Sequence, residues 1–221
     1  MISNTTTGKG GGGWYGQPAT ITGTTFISNS ATDDGGGGWF GATSVLTATT
    51  FISNSTAGGF GGGGACFNAP ATLYNATFTG NHSTTKHGGG AYFQQSAGIS
   101  IANFTGNTSA KRGAGAYVEG AGTVANAAFT GNQASDNGGG AYFRSAANVT
   151  ASDFVLNQST ANAGGAYFFA AAALTDTNFL TNTGVSLGGG AYFSVNGTVT
   201  GTLFPYTTLS DLGRASCRER V

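Results

Sequence analysis

Seven Phe-x-x-Asn motifs recur at a regular step along this chain: Phe26/Asn29, Phe51/Asn54, Phe78/Asn81, Phe104/Asn107, Phe129/Asn132, Phe154/Asn157 and Phe179/Asn182. Successive Phe residues are 25, 27, 26, 25, 25 and 25 positions apart. An aliphatic column keeps the same period five residues ahead of each Phe: Ile21, Leu46, Leu73, Ile99, Val124, Val149 and Leu174, continued by Val199. Each unit then carries a glycine-rich run and an aromatic pair, as in Gly138-Gly-Gly-Ala-Tyr-Phe143. Fixed self-similarity at this length is the signature of a solenoid in which each unit buries its apolar face against the next.

The residue types decide which solenoid. Thr, Val, Ile, Tyr and Phe favour strands, and apolar residues never recur at i, i+3, i+4 and i+7, as a helical repeat requires. The reading is an all-β, right-handed parallel β-helix of about eight coils, each of roughly 25 residues with three short strands. Those strands fall around Val149, Phe154 and the Ala-Tyr-Phe run in one unit. Right-handed crossover is the rule for parallel strands. At about 4.8 Å per rung, eight coils span roughly 38 Å.

The columns then acquire physical roles. Stacked Phe rings form an interior ladder, each ring able to bury about 150–250 Å². The Asn column sits at the following bend, where each amide bonds its own turn and the neighbouring coil. The glycines permit positive φ and close backbone approach. Large-then-small pairs in early coils, Trp14/Gly16 and Trp39/Gly41, face small-then-large pairs later, Ala141/Phe143 and Ala166/Phe168. Residues two apart share a strand face, and a packed core conserves volume. That places these positions inside and the middle column outside: Tyr15, Phe40, Cys66, Tyr92, Tyr117, Tyr142, Tyr167 and Tyr192.

Composition narrows the function classes. Charged residues make up 7% of the chain and the net charge is zero, so a basic nucleic-acid surface is not indicated. No apolar run reaches the roughly 18 residues of a membrane-spanning helix. Met1 stands in the Phe column, since Met1-Ile-Ser-Asn4 matches Phe26-Ile-Ser-Asn29, and the chain reads as starting mid-repeat with no signal peptide ahead of it. Two domains are expected: a β-helix fragment over 1–201 and a non-native tail over 202–221. The tail abandons the repeat and carries five of the sixteen Asp, Glu, Lys and Arg residues. It resembles a translated sequencing adapter joined to its own reverse complement. Thr202–Leu209 written as ACACTCTTTCCCTACACGACGCTC has a reverse complement encoding Ala-Ser-Cys-Arg-Glu-Arg-Val, which is Ala215–Val221. Without the tail, Cys66 is the single cysteine.

The paired Phe-x-x-Asn and Gly-Gly-Ala-aromatic motifs resemble the polymorphic outer-membrane-protein repeat, whose usual motifs are Phe-x-x-Asn and Gly-Gly-Ala-Ile. The likeness covers 1–201, with Tyr where Ile is usual. It implies a right-handed β-helical passenger of an autotransporter or other surface protein, often an adhesin, located extracellularly or on the outer cell surface. The chain itself carries no autotransporter barrel. The expected function is therefore that of a secreted or cell-surface structural or adhesive protein, not an enzyme, with no cofactor. Its expected partners are a glycan or a host or cell-surface protein. The alternative is part of a carbohydrate-active β-helix enzyme of the polysaccharide lyase or hydrolase kind, which needs acids converging on one outward face.

Candidate sites follow the columns. Tyr92, Tyr117, Tyr142, Tyr167 and Tyr192 form the expected exposed aromatic stripe, able to stack on sugars or partner side chains. The competing reading is a ladder that only steadies neighbouring coils. Lys86, His87, Lys111, Arg112 and Asp136 gather in the turn before the glycines, where an anion spot competes with a solvated turn. Asp33-Asp34 offers oxygens for a cation but lacks a calcium-repeat pattern. Asp153 and Asp176 are separated in phase by a bend. Thr24-Thr25 and Thr49-Thr50 begin a threonine array that fails at Ala102-Asn103 and Ala127-Ala128. Glycosylation sequons at Asn75, Asn148 and Asn196 lie outside the Phe-x-x-Asn column, whereas those inside it are expected to be buried. No catalytic or metal-ligating residue is assigned.

Overall fold

A computed structural model describes residues 1–204 and the two-residue strand Leu212–Gly213. The described residues form an all-β solenoid of parallel strands, about eight coils of the expected period, with no helix. Each coil contributes four strands rather than three, and the strands stack into sheets of eight, nine, eight and seven members. One coil runs Ala147–Thr150, Asp153–Val155, Gln158–Ser159 and Ala166–Phe168. The strand missing from the sequence reading is the short one after the asparagine. It spans only two residues per coil, too few to carry a legible alternation.

Every coil pairs in register with its neighbours, Phe129 against Phe154 and Val149 against Leu174, for example. The interior is columnar. From Phe26 to Phe204 the Phe rings stack at centroid distances of 4.6–5.0 Å. The aliphatic column from Leu46 to Leu174 is buried beside them. A second aromatic column runs through Tyr15, Phe40, Phe67 and Phe93, yields to Val118, and resumes with Phe143, Phe168 and Phe193.

That second column corrects the inside–outside assignment. Gly38 pairs with Ala65, Trp39 with Cys66 and Phe40 with Phe67. Trp14 and Trp39 therefore belong to the Tyr column, while Tyr15 and Phe40 belong inside. Phe40 is fully buried and Trp14 is 63% exposed. No exchange of large and small residues takes place. The inward pair is small-then-large from the first coil, and Gly13 and Gly38 hold the small slot that alanine holds later. A fourth glycine at the end of the run hid this register.

The asparagines follow from their corner. In each Phe-x-x-Asn the second spacer residue is left-handed: Ser28 (φ 54°), Gly106 (φ 61°), Leu156 (φ 58°) and Thr181 (φ 55°). This turns the Asn inward, where Asn29, Asn54, Asn81, Asn107, Asn132 and Asn157 are fully buried. Buried amides must be paired, and here the stack pairs them completely. Asn107 Nδ2 donates to Phe78 O at 2.9 Å and to Asn132 Oδ1 at 2.9 Å. Its Oδ1 accepts from Asn81 N at 2.9 Å and from Asn81 Nδ2 at 3.0 Å. The sequons within this column, such as Asn54 and Asn157, are thus buried as expected.

The glycine run serves two purposes. Gly138 (φ 70°) is a left-handed corner. Gly140 packs so closely that an added Cβ would lie 2.6 Å from Gly165 O and 2.9 Å from Phe154 Cδ1. At the far end, the boundary expected at 201/202 falls within a coil. Leu203 bridges Asn178, and Phe204 stacks on Phe179 at 5.0 Å. Leu212–Gly213 pairs with Ala191–Tyr192. The rest of the 202–221 tail, Cys217 included, lies outside the described residues.

The amide ladder yields a prediction. Asn107→Asp keeps the shape and both acceptor roles but removes the two donors to Phe78 O and Asn132 Oδ1. It should cost at least about 3 kcal/mol, because buried acceptors lose their partners and a charge is left unpaired. The midpoint of urea denaturation for the variant and parent measures this, and an unchanged midpoint would refute the ladder's role.

Candidate functional site

The outward column of the Ala-Tyr-Phe strands was the first candidate, and the structure places it under cover. Tyr92, Tyr117 and Tyr142 are 2%, 3% and 3% exposed, and Tyr167 and Tyr192 are half-buried. The expected exposed stripe is thus corrected to a second, smaller core, made with Cys66 and flanked by Trp39 and Tyr167. The rings do follow coil by coil, at centroid distances of 5.2, 5.1, 4.9 and 4.9 Å.

The cover comes from the loop between the two-residue strand and the glycine corner. It folds back over the sheet, and its side chains lie on the column one coil ahead. Lys9 Nζ stands 5.1 Å from the Trp39 ring. Phe60 stacks on Tyr92 at 5.6 Å, His87 on Tyr117 at 4.5 Å, and the Arg112 guanidinium lies 5.3 Å from the Tyr142 ring. Cations over aromatic faces gain about 0.5–2 kcal/mol, more as water is excluded. Phe60 belongs to the coil where Cys66 replaces a ring, within the 27-residue step from Phe51 to Phe78. Its ring lies on the column that the cysteine leaves without one.

Burial sets the chemistry of the column. It pushes the Tyr142 hydroxyl up to about 12 and raises the Tyr92 and Tyr117 hydroxyls as well. The Tyr92 hydroxyl donates to Glu119 Oε2, and Arg144 Nη1 donates to Glu119 Oε1. Burial likewise raises the Cys66 thiol well above its ordinary range, which leaves it protonated and inert. The arrangement holds neutral rings in place.

The charged candidates of the loop are drawn into the same cover. The charges of the turn do not form an open anion spot around Arg112: its Nε donates to Asp136 Oδ2 at 2.7 Å. Both partners are a third or more exposed, so the pair contributes about 0.2–1 kcal/mol. Asp34 is buried and meets Lys9 Nζ at 3.0 Å, with Asp33 at 3.9 Å. Asp34 Oδ1 also accepts from Phe60 N at 2.5 Å, which anchors the covering loop. Asp153 Oδ1 accepts from Asn178 Nδ2 at 2.8 Å, while Asp176 occupies a left-handed corner (φ 48°). The two acids therefore sit on a strand and at a bend and share no site. Among the described residues, no three His, Cys, Asp or Glu side chains come together as a metal site would need.

Sequence reasoning missed Phe60, Lys9 and the Glu119–Arg144 pair as parts of this cover. The extra residues around Phe60, coinciding with the one ringless member of the Tyr column, were the available signal.

Two predictions test the covered column. Tyr117→Ser removes a ring packed between Tyr92, Tyr142 and His87 and should cost about 3 kcal/mol, as for other buried aromatic truncations. An unchanged melting temperature would mean the ring is not packed. The second concerns pH. Burial, with Arg112, Lys111 and Lys86 nearby, lowers the His87 pKa to about 4 from 6.5, and Asp136 opposes this only weakly. His87 Nδ1 accepts from Arg112 N at 3.3 Å, so the fold selects the neutral ring. The unfolded chain then binds the proton first. Stability present above pH 6.5 is lost as the pH falls toward about 4. Melting curves across that window should fall more steeply for the parent than for His87→Phe, which keeps the stack. Parallel curves would contradict it.

Comparison of the chain with models of protein families, with curated proteins and with solved structures found no match in any of the three.

Proposed function

We propose that the chain is a stretch of a secreted or cell-surface β-helical repeat protein with a structural and adhesive role. The observation that carries this reading is that, among the described residues, every carboxylate except Asp176 is engaged by a neighbour within an unbroken stack. Asp34 faces Lys9, Asp136 faces Arg112 and Glu119 faces Arg144, while Asp153 is held by Asn178. Glycan cleavage needs a carboxyl pair free to hold and release protons across an open cleft. Adhesion needs only a stiff, regular surface. A rod of in-register coils supplies that surface, because fixed side chains lose little freedom on contact.

The repeats support a finer placement. Phe-x-x-Asn and Gly-Gly-Ala recur with the columnar roles that the polymorphic outer-membrane-protein repeat would need, one as a buried ladder and the other as a corner with a small inward slot. On that basis the protein works outside the cell, and its partners are glycans or surface proteins. No helix among the described residues is long and apolar enough to cross a membrane.

The full chain immobilised on beads tests the reading. Retention of neutral glycans or of cell-surface glycoproteins, without release of new reducing ends from polysaccharides, is the expected result. Sustained release of reducing ends would replace it with the carbohydrate-active enzyme. Absence of retention on either surface would remove the adhesive part.

A further inference from the structure

The sheet of two-residue strands carries a feature that neither the core nor the aromatic cover uses. The first residue of each of its strands points outward, which makes a rank of His82, Thr108, Gln133, Gln158 and Thr183. Beyond this rank the chain rises into the covering loop, so the sheet face becomes one side of a furrow of about 390 Å³. Four coil steps separate His82 from Thr183, a length of about 19 Å.

The chemistry of this furrow is specific. None of its lining residues is Asp, Glu, Lys or Arg. The side-chain amides of Gln133 and Gln158 have no hydrogen-bond partner among the described residues, although each follows directly on a fully paired asparagine, Asn132 or Asn157. A furrow without charge that presents two free amides between threonines offers donors and acceptors to a ligand that itself both donates and accepts.

We propose that this furrow binds a neutral glycan chain lying along the solenoid axis. The proposal rests on the adhesive reading and deepens it by naming the ligand class and the face. An amide offers a donor and an acceptor side by side, which matches adjacent sugar hydroxyls, and the threonines continue the same chemistry on either side. The furrow disfavours the other polymers. A nucleic acid or acidic glycan needs cations, which the lining lacks. An extended peptide adds to a free strand edge. These strands are hydrogen-bonded on both sides, to the coils above and below. Single contacts are weak, and affinity accumulates over successive coils.

The test titrates the full chain with neutral hexasaccharides of glucose, xylose, mannose and N-acetylglucosamine, with polygalacturonate as the acidic contrast. Gln133→Ala combined with Gln158→Ala removes both exposed amides without touching the core, and melting curves confirm that the fold survives. At least one neutral hexasaccharide should bind, and the double variant should weaken it at least tenfold. Lys111→Ala, outside the furrow, should change it less than twofold. Binding that ignores the double variant, or that is confined to polygalacturonate, overturns the proposal. Retention on glycoprotein surfaces that persists after glycan removal, with no neutral hexasaccharide bound, overturns the furrow and leaves the adhesive reading standing. No binding to any of these surfaces overturns both.

Discussion

The buried amide ladder is the constraint on which the rest of the molecule depends. Every interior asparagine must find four partners away from water, and the asparagines one coil to either side supply three of them while a Phe carbonyl supplies the fourth. This fixes the step between coils and the register of all four sheets. It also places the Phe rings directly over one another, since each Phe carbonyl accepts from the Asn in the coil that follows, as Phe78 O does from Asn107 Nδ2. The departures from a 25-residue step fall between Phe51 and Phe104, where the covering loops absorb them, two residues around Phe60 and one near His87, and the ladder continues from Asn54 to Asn81 and Asn107.

Much of this was legible before any coordinates, and the misses have physical causes. The Phe, Asn and aliphatic columns recur without exception, so their burial could be read directly. The fourth strand escaped because Gln158–Ser159 is too short to alternate. The tyrosines were misassigned to solvent because outward from the sheet is not the same as outward from the molecule. What covers their column is one side chain per loop, and these side chains share no type: a lysine on Trp39, then a phenylalanine, a histidine and an arginine on tyrosines. The chemistry common to them is the ability to lie flat on a ring, which residue identity alone does not announce. The register of Trp39 was lost for a narrower reason, because Gly38 fills an alanine slot and lengthens the glycine run by one.

The covered column changes what the surface offers. With the rings enclosed and most of the described carboxylates engaged, the protein presents mainly uncharged hydroxyl, amide and small apolar side chains in straight ranks. Such a face suits contact with long, neutral, repetitive partners better than capture of a compact small molecule. The furrow along the shortest sheet is where that face turns concave.

The ladder also gives the rod a direction. From Asn4 to Asn182 each amide nitrogen donates to the oxygen of the next coil without a break. All these side-chain carbonyls therefore point toward the first coil, and one N–H of each amide points toward the last. Aligned amide dipoles add head to tail, as they do along a helix axis. A chain with zero formal net charge thus carries an axial electric field written entirely in uncharged residues, and each added coil lengthens the dipole without changing the charge.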